Sequence, residues 1–305
     1  MKILLLGKNG QVGWELQRTL SPIGEVLALD QNSSDNEGLV GDLSNEAGLR
    51  ATIAAVSPDV IVNAAAYTNV DRAETQPDLA NRVNGDAVRV LADEAAQRGI
   101  WLVHYSTDYV FDGSGERPWR EDDPPAPLSV YGKSKLAGEE AIRASGCRHL
   151  ILRTSWVYAM RGTNFARTML GLASERERLT VVSDQVGAPT GADLIADITA
   201  HLVRGMMSGV QAWPAVGTYH LVAGGETNWY AYACFVIDEA RRRGMKLAVK
   251  EIVPIRAADW PTPAVRPLNS RMDCTKLRTV FGFFLPDWTF GVKRLMDKIL
   301  LPNTL

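Results

Sequence analysis

Short runs of aliphatic and β-branched residues alternate with longer stretches in which apolar side chains recur every third or fourth position, and this alternation holds through the first half of the chain. The runs at residues 2–6, 25–29, 60–63, 101–106 and 149–153 have the length and composition of buried strands. Between them, residues 12–20, 46–56, 86–98 and 130–145 carry the spacing of amphipathic helices. Strand and helix in turn predict repeated βαβ units, and so an α/β fold of the Rossmann type: a doubly wound parallel sheet covered by helices on both faces. After about residue 155 the rhythm breaks, and prolines such as Pro189, Pro254, Pro261, Pro263 and Pro267 interrupt shorter segments. The expected division is a core over residues 1–155 and a smaller C-terminal α/β lobe over 156–305, with some segments returning to the core. Helices are expected near 192–207, 229–243 and 290–300, a loop over 259–270, and a surface connection over 117–127.

Composition narrows the partners. With 305 residues, 46% of them hydrophobic, the chain can bury a large core. A formal net charge of -2 with both signs interspersed leaves no basic stripe, which argues against nucleic acid and for a small molecule. Cys147, Cys234 and Cys274 are far apart and form no Cys-x-x-Cys pair, so they read as thiols in a reducing compartment. The apolar run at 3–6 leads straight into a glycine turn and is expected to be a strand, not a signal peptide. No stretch approaches the ~18 apolar residues of a membrane helix, and a cytoplasmic protein is expected. The four histidines, His104, His149, His201 and His220, lack metal-ligand spacing and read as structural.

Ligand-binding residues of such sheets cluster at the carboxyl ends of the strands. Gly7, Gly10 and Gly13 follow the first strand and open the first helix, where glycines let backbone approach a pyrophosphate and the helix N-terminus favours its charge. Asp30, twenty residues past Gly10, ends the second strand, where a carboxylate can accept hydrogen bonds from an adenosine ribose and repel a 2′-phosphate. Asp42 and Leu43 stand where an adenine ring would lie, and Ala64, Ala65 and Ala66 are small enough for a cofactor to rest against the backbone. Tyr131 and Lys135 are four residues apart on one helix face, so the ammonium can draw the phenol's pKa down toward working pH, and the phenol can protonate a carbonyl oxygen. Thr107 and Asp108 follow the fourth strand, with the Thr107 hydroxyl directed toward Tyr131. A Ser-Thr-Asp run in that place is also a frequent helix cap.

These residues resemble the extended short-chain dehydrogenase/reductase family, and within it the dTDP-4-dehydrorhamnose reductases. The likeness spans nearly the whole chain. It rests on the glycine turn at 7–13, the segment 63–74 beginning Asn-Ala-Ala-Ala-Tyr-Thr, Ser-Thr-Asp-Tyr-Val-Phe-Asp-Gly at 106–113, Tyr-Gly-Lys-Ser-Lys at 131–135, and the segments 152–158, 184–190 and 266–270. The resemblance implies reduction of the C4 keto group of dTDP-4-dehydro-L-rhamnose to dTDP-L-rhamnose by NADPH or NADH, the last step in making a sugar donor for polysaccharides such as the lipopolysaccharide O-antigen. It implies Tyr131 as proton donor with Thr107 and Lys135 as partners, and cofactor contacts from Gly10, Gln11, Val12, Asp30, Asp42, Leu43, Ala66, Tyr67 and Thr68. Thr107, Asp108 and Trp156 would contact the sugar nucleotide, and the guanidinium fork of Arg266 suits its diphosphate. Some members form homodimers through a Mg2+ ion held by acidic side chains. Glu15 and Asp193 fit two of those positions, while the third falls on Lys298.

Rival readings are a reductase, dehydratase or epimerase of another nucleotide-deoxysugar and a non-catalytic NADP-binding regulatory subunit. Dehydratases of this fold place a glutamate directly after the Thr-Asp pair, where this chain has Tyr109. A regulatory subunit is expected to lose the proton donor or the glycine turn, and both are intact.

Overall fold

The computed structural model describes residues 1–32, 38–207 and 216–300. The first half alternates as its pattern predicts: β1 (Lys2–Leu6), α1 (Gln11–Leu20), β2 (Glu25–Leu29), α2 (Glu46–Val56), β3 (Val60–Asn63), α3 (Val70–Ala73), α4 (Pro77–Asn81), α5 (Ala87–Arg98), β4 (Trp101–Thr107), α6 (Val130–Ser145) and β5 (Arg148–Thr154). A π-helical turn, Arg82–Asp86, joins α4 to α5. The second half adds β6 (Val157–Tyr158), α7 (Phe165–Glu175), β7 (Arg178–Val182), β8 (Val186–Gly187), β9 (Thr190–Gly191) and α8 (Ala192–Met207). It closes with β10 (Gly217–His220), β11 (Thr227–Asn228), α9 (Trp229–Arg242), β12 (Glu251–Ile255), α10 (Thr275–Phe281) and α11 (Trp288–Leu300).

Six strands make one parallel sheet in the order β10-β5-β4-β3-β1-β2. Side chains of a strand alternate between faces, and the core divides accordingly. Ile3, Leu5, Val60, Val62, Val103 and Leu150 face α1, α8 and α10, while Leu4, Leu6, Ile61, Leu102 and Ile151 face α2, α5 and α6. The chain runs from β1 outward to β2 and then returns to the other side of β1 at β3, so the carboxyl ends of β1 and β3 flank the switch point where open α/β sheets bind ligands. The sixth strand, β10, pairs with β5 from Gly217↔Leu150 to His220↔Arg153. Helix α8 likewise packs on α1 over the sheet.

Helices α7, α9 and α11 form a separate apolar cluster around Tyr232, Val236, Trp288 and Val292, beside the parallel pair β7–β12. Helix α6 is fixed to the sheet by a buried ion pair. Arg153 of β5 donates to Glu139 through Nε (2.8 Å) and Nη2 (2.6 Å), and its guanidinium lies over the Phe111 ring. Removing one member of such a pair leaves the other as an uncompensated buried charge. The pair therefore sets the position of the helix that carries Tyr131 and Lys135. Among the described residues no helix is long and apolar enough to cross a membrane.

Candidate active site

The carboxyl ends of β1, β3, β4 and β5 open into a cleft of about 760 Å3. Gly7, Gly10, Gln11, Val12, Asp30, Ala64, Ala65, Ala66 and Thr68 line one end, and Thr107, Asp108, Tyr131, Lys135 and Trp156 line the other. Four residues expected at the cofactor lie outside this lining. Gly13 is buried in the turn, Leu43 belongs to the core under α2, and the Tyr67 amide and hydroxyl bind Asn84 (2.9 Å) and Gln76 (3.0 Å). Asp42 closes an Asx turn, accepting from the Ser44 amide at 2.9 Å and from its hydroxyl at 2.8 Å.

The glycine turn has the geometry a dinucleotide requires. Gly7 adopts φ +87°, a conformation open to glycine, and a Cβ there would stand 2.6 Å from the Ala65 nitrogen. Gly10 begins α1 with no side-chain cap, so the first-turn N–H groups face the cleft with the helix dipole behind them. Further along, the Thr154 and Ser155 hydroxyls are buried in the cleft wall with no hydrogen-bond partner among the described residues. These features fit a bound dinucleotide, which would be held by the turn backbone, Asp30 and the Ala64–66 strand end. Asp30 accepts from the Asn32 amide at 3.0 Å and from the Asn9 side chain.

At the other end Ser129 caps α6, accepting from the Gly132 amide at 3.1 Å, and the helix carries Tyr131 and Lys135 to the end of β4. Thr107 caps the following turn, accepting from the Tyr109 amide at 3.2 Å and donating to Asp108 Oδ1 at 3.0 Å, and its hydroxyl neighbours the Tyr131 phenol. Burial holds the phenol above its ordinary pKa; the neighbouring Thr107 hydroxyl opposes this and the charge of Asp108 adds to it. This corrects the expectation that Lys135 draws the phenol down. The lysine is buried and turned to the sheet, where Nζ donates to the Tyr105 carbonyl at 2.7 Å and meets His104 Nε2 at 3.2 Å. Burial lowers the Lys135 pKa to about 8, with the Glu139 charge opposing. Burial likewise pushes the Asp108 carboxyl up to about 6, against hydrogen bonds from Ser270 and Thr107. The phenol is thus neutral, and able to donate, throughout the ordinary pH range.

Trp156 follows β5 with φ +48° and stacks on Trp229, ring centroids 3.7 Å apart. Both indoles also line a second cleft of about 840 Å3 that reaches Arg266 and Trp260 in the C-terminal lobe. Arg266 is paired across the clefts with Asp71 (2.7 Å) and donates to the Tyr109 hydroxyl at 3.2 Å. Tyr109 in turn meets the Tyr131 ring edge-on at 5.5 Å. Trp229 and Asp71 escaped the sequence reading, because each is brought to the cleft by contacts with distant residues. The segment at 161–163 was also missed. It reaches the glycine turn through Gln11, whose side chain donates to the Thr163 carbonyl at 2.9 Å, and through Arg161, which lies over the Trp14 ring.

The described residues do not fit the expected Mg2+ ion. They contain no group of three or more His, Cys, Asp or Glu side chains able to hold a metal. Glu15 and Asp193 do share a small cavity, but the third charged side chain lining it is Lys298, a cation. Glu15 instead faces Arg18 at 3.4 Å, and Asp193 accepts from the Leu194 amide at 2.9 Å.

A doubly wound sheet with a glycine turn at its switch point and a Tyr, Lys and Thr at the end of β4 defines a dinucleotide-binding protein of the short-chain dehydrogenase/reductase class. Comparison with known proteins narrows this. A family model described as "RmlD substrate binding domain" matches residues 1–301. The chain is 51% identical over 305 residues, all of both chains, to the dTDP-4-dehydrorhamnose reductase of Salmonella typhimurium. Among solved structures, a dTDP-4-dehydrorhamnose reductase from Clostridium acetobutylicum superposes with a TM-score of 0.88 at 33% identity, covering 98% of this chain and 99% of that one. The Bacillus anthracis reductase in complex with NADP gives 0.86 at 31% identity, covering 97% and 99%. The chain belongs to the RmlD family, to which these reductases are its full-length relatives.

Proposed function

We propose that this protein reduces the C4 keto group of dTDP-4-dehydro-L-rhamnose to give dTDP-L-rhamnose, with NADPH or NADH as reductant, in the cytoplasm. The observation that carries the reading is the meeting, in one cleft, of an uncapped helix N-terminus behind a glycine turn with a buried neutral phenol beside Thr107. Full-length identity of 51% to a reductase of that name supports the particular substrate. A reduced nicotinamide supplies the hydride when bound. Tyr131 gives its proton to the carbonyl oxygen as negative charge develops there, and the Thr107 hydroxyl orients the phenol and shares the oxyanion. Lys135, held one turn along α6 by the Tyr105 carbonyl and His104, lines the cleft and would hold the nicotinamide ribose. Trp156 and Trp229 form the wall joining the two clefts, against which the deoxysugar would lie, with the dTDP moiety extending into the C-terminal lobe. Arg266 would exchange Asp71 for the diphosphate there.

Incubation with NADPH and a panel of dTDP-4-keto sugars tests the reading. Oxidation of NADPH confined to the rhamnose precursor is the expected result. Tight NADPH binding with no oxidation by any ketone would overturn it and favour a regulatory subunit.

The ribose role of Asp30 has its own test. Removing a carboxylate that accepts from a ribose hydroxyl costs a charge-assisted hydrogen bond, while a 2′-phosphate is relieved of repulsion. Asp30→Ala is expected to weaken NADH about tenfold relative to NADPH, read as two dissociation constants by nucleotide fluorescence titration. Equal changes for both cofactors would reject the assignment.

A further inference from the structure

His104 is fully buried on β4, where it stands opposite Asn63 of β3. Its two ring nitrogens have one neighbour each: Lys135 Nζ at 3.2 Å from Nε2, and the Asn63 side-chain nitrogen at 3.1 Å from Nδ1. The Asn63 side-chain oxygen accepts from the Ala65 amide at 3.2 Å, and Ala65 lines the cofactor cleft. Lys135, His104 and Asn63 are each no more than 2% exposed, so bulk solvent does not reach these groups.

The donor count ties one arrangement of this chain of groups to a charged Lys135 and leaves the other open only to the uncharged amine. A neutral imidazole has one N–H and one acceptor, and an ammonium has donors only. With the Asn63 amide as it stands, its NH2 donates to Nδ1, the ring proton is on Nε2, and Nε2–H faces an uncharged Lys135. If Lys135 is charged, it donates to Nε2, the ring proton moves to Nδ1, and Asn63 must turn its carbonyl oxygen to receive it. That turn gives up the Ala65 N–H to the cleft. Between the two states Lys135 takes one proton from solvent, and the ring loses a proton at Nε2 and gains one at Nδ1.

We infer that His104 is a positioning residue for the Tyr131–Lys135 chemistry, its ring tautomer and the Asn63 amide following the charge on Lys135 and linking that charge to the Ala65 N–H at the cofactor cleft. This rests on the proposed reductase reading for its catalytic meaning, but not for its geometry. Other charged groups do not supply the coupling. On its own helix Lys135 has Tyr131 one turn before and Glu139 one turn after, and Glu139 is already bound by Arg153 from β5 and by Arg143. Asp108 and Tyr109 from the turn after β4 act on the phenol. From β3 the neighbour is Asn63, which is uncharged. The Tyr105 carbonyl and His104 are therefore the direct partners of the ammonium. The depressed pKa of Lys135, about 8, puts the exchange between the two arrangements within an accessible pH range.

Nitrogen-15 NMR of the ring nitrogens in the unmodified protein reads the tautomer directly. The expected result is the Nδ1–H form at low pH and the Nε2–H form at high pH, with a midpoint matching the titration of the Lys135 amine. One tautomer throughout the titration of Lys135 would overturn the inference. In turnover, His104→Leu is expected to move the alkaline limb of kcat/KM down by about one pH unit, since a buried ammonium loses one of two partners, while His104→Gln restores an acceptor and returns the limb. An equal loss at every pH in both variants would show a structural role alone. If no keto sugar is reduced by the wild-type chain, the functional reading fails, and the NMR titration still decides the coupling.

Discussion

Tyr131→Phe is expected to lower kcat about 1000-fold, the size of a lost general acid, with NADPH affinity unchanged within about twofold. The phenol oxygen is the only atom removed, and the ring keeps its edge contact with Tyr109 at 5.5 Å and its place on a helix tied down by Glu139 and Arg153. The buried phenol is held above its ordinary pKa, so it is a donor, not a base, at neutral pH. Loss of that donor forces the developing alkoxide to be protonated by solvent, with Thr107 alone to share its charge. A factor of 1000 corresponds to about 4 kcal/mol of transition-state stabilisation. Steady-state kinetics with a separate cofactor titration distinguishes the outcomes. Unchanged turnover rejects Tyr131 as the donor, and parallel loss of cofactor affinity shows a damaged fold.

Gly13→Ala is expected to be the most damaging of the single-methyl changes in the glycine turn. A Cβ at Gly13 would stand 2.0 Å from the Gly7 carbonyl oxygen and 2.7 Å from its carbon, both backbone atoms that can yield only if the turn opens. Gly10→Ala provides the control, because its Cβ meets only the Gly7 oxygen, at 3.3 Å. Overpacking of this kind costs about 1–3 kcal/mol or more, and opening the turn also misaligns the N–H groups at the start of α1. NADPH affinity is expected to fall about 100-fold in Gly13→Ala, the equivalent of losing one or two charge-assisted hydrogen bonds, with melting several degrees lower. Isothermal titration and thermal unfolding of both variants measure the two effects. A Gly13→Ala protein that binds NADPH as well as Gly10→Ala does would contradict the packing account.

Periodicity made the first five strands and their helices legible, because those strands are short apolar runs covered on both faces and the helices carry one apolar stripe toward the sheet. The sixth strand carries none. Gly217–His220 is four residues of mixed polarity, and what makes it a strand is its pairing with β5, more than sixty positions earlier in the chain. The same physics divides the site. Glycine turn, Tyr131 and Lys135 are local signals, and the structure brings Gly7, Gly10, Tyr131 and Lys135 to one cleft. The partner of Lys135 was invisible because His104 sits on a different element and reads, on its own strand, as any buried histidine. Arg266 was legible as a phosphate ligand, but its present partner Asp71 lies 195 residues away, and the 63–74 motif that contains it does not show the pairing. The Mg2+ expectation rested on two carboxylates, and the cation Lys298 beside them is what the spacing already hinted and the fold makes decisive.

The central claim is that this cleft reduces a 4-keto sugar nucleotide by a hydride and a proton, the proton coming from Tyr131. The most direct measurement follows NADPH absorbance and the NMR spectrum of the sugar together, with dTDP-4-dehydro-L-rhamnose as substrate and Tyr131→Phe alongside. The account predicts one NADPH consumed for each dTDP-L-rhamnose formed, with C4 carrying a hydroxyl, and almost none in the variant. A product that keeps its C4 ketone but is epimerised or dehydrated elsewhere, or a substrate left untouched while NADPH stays bound, would contradict it.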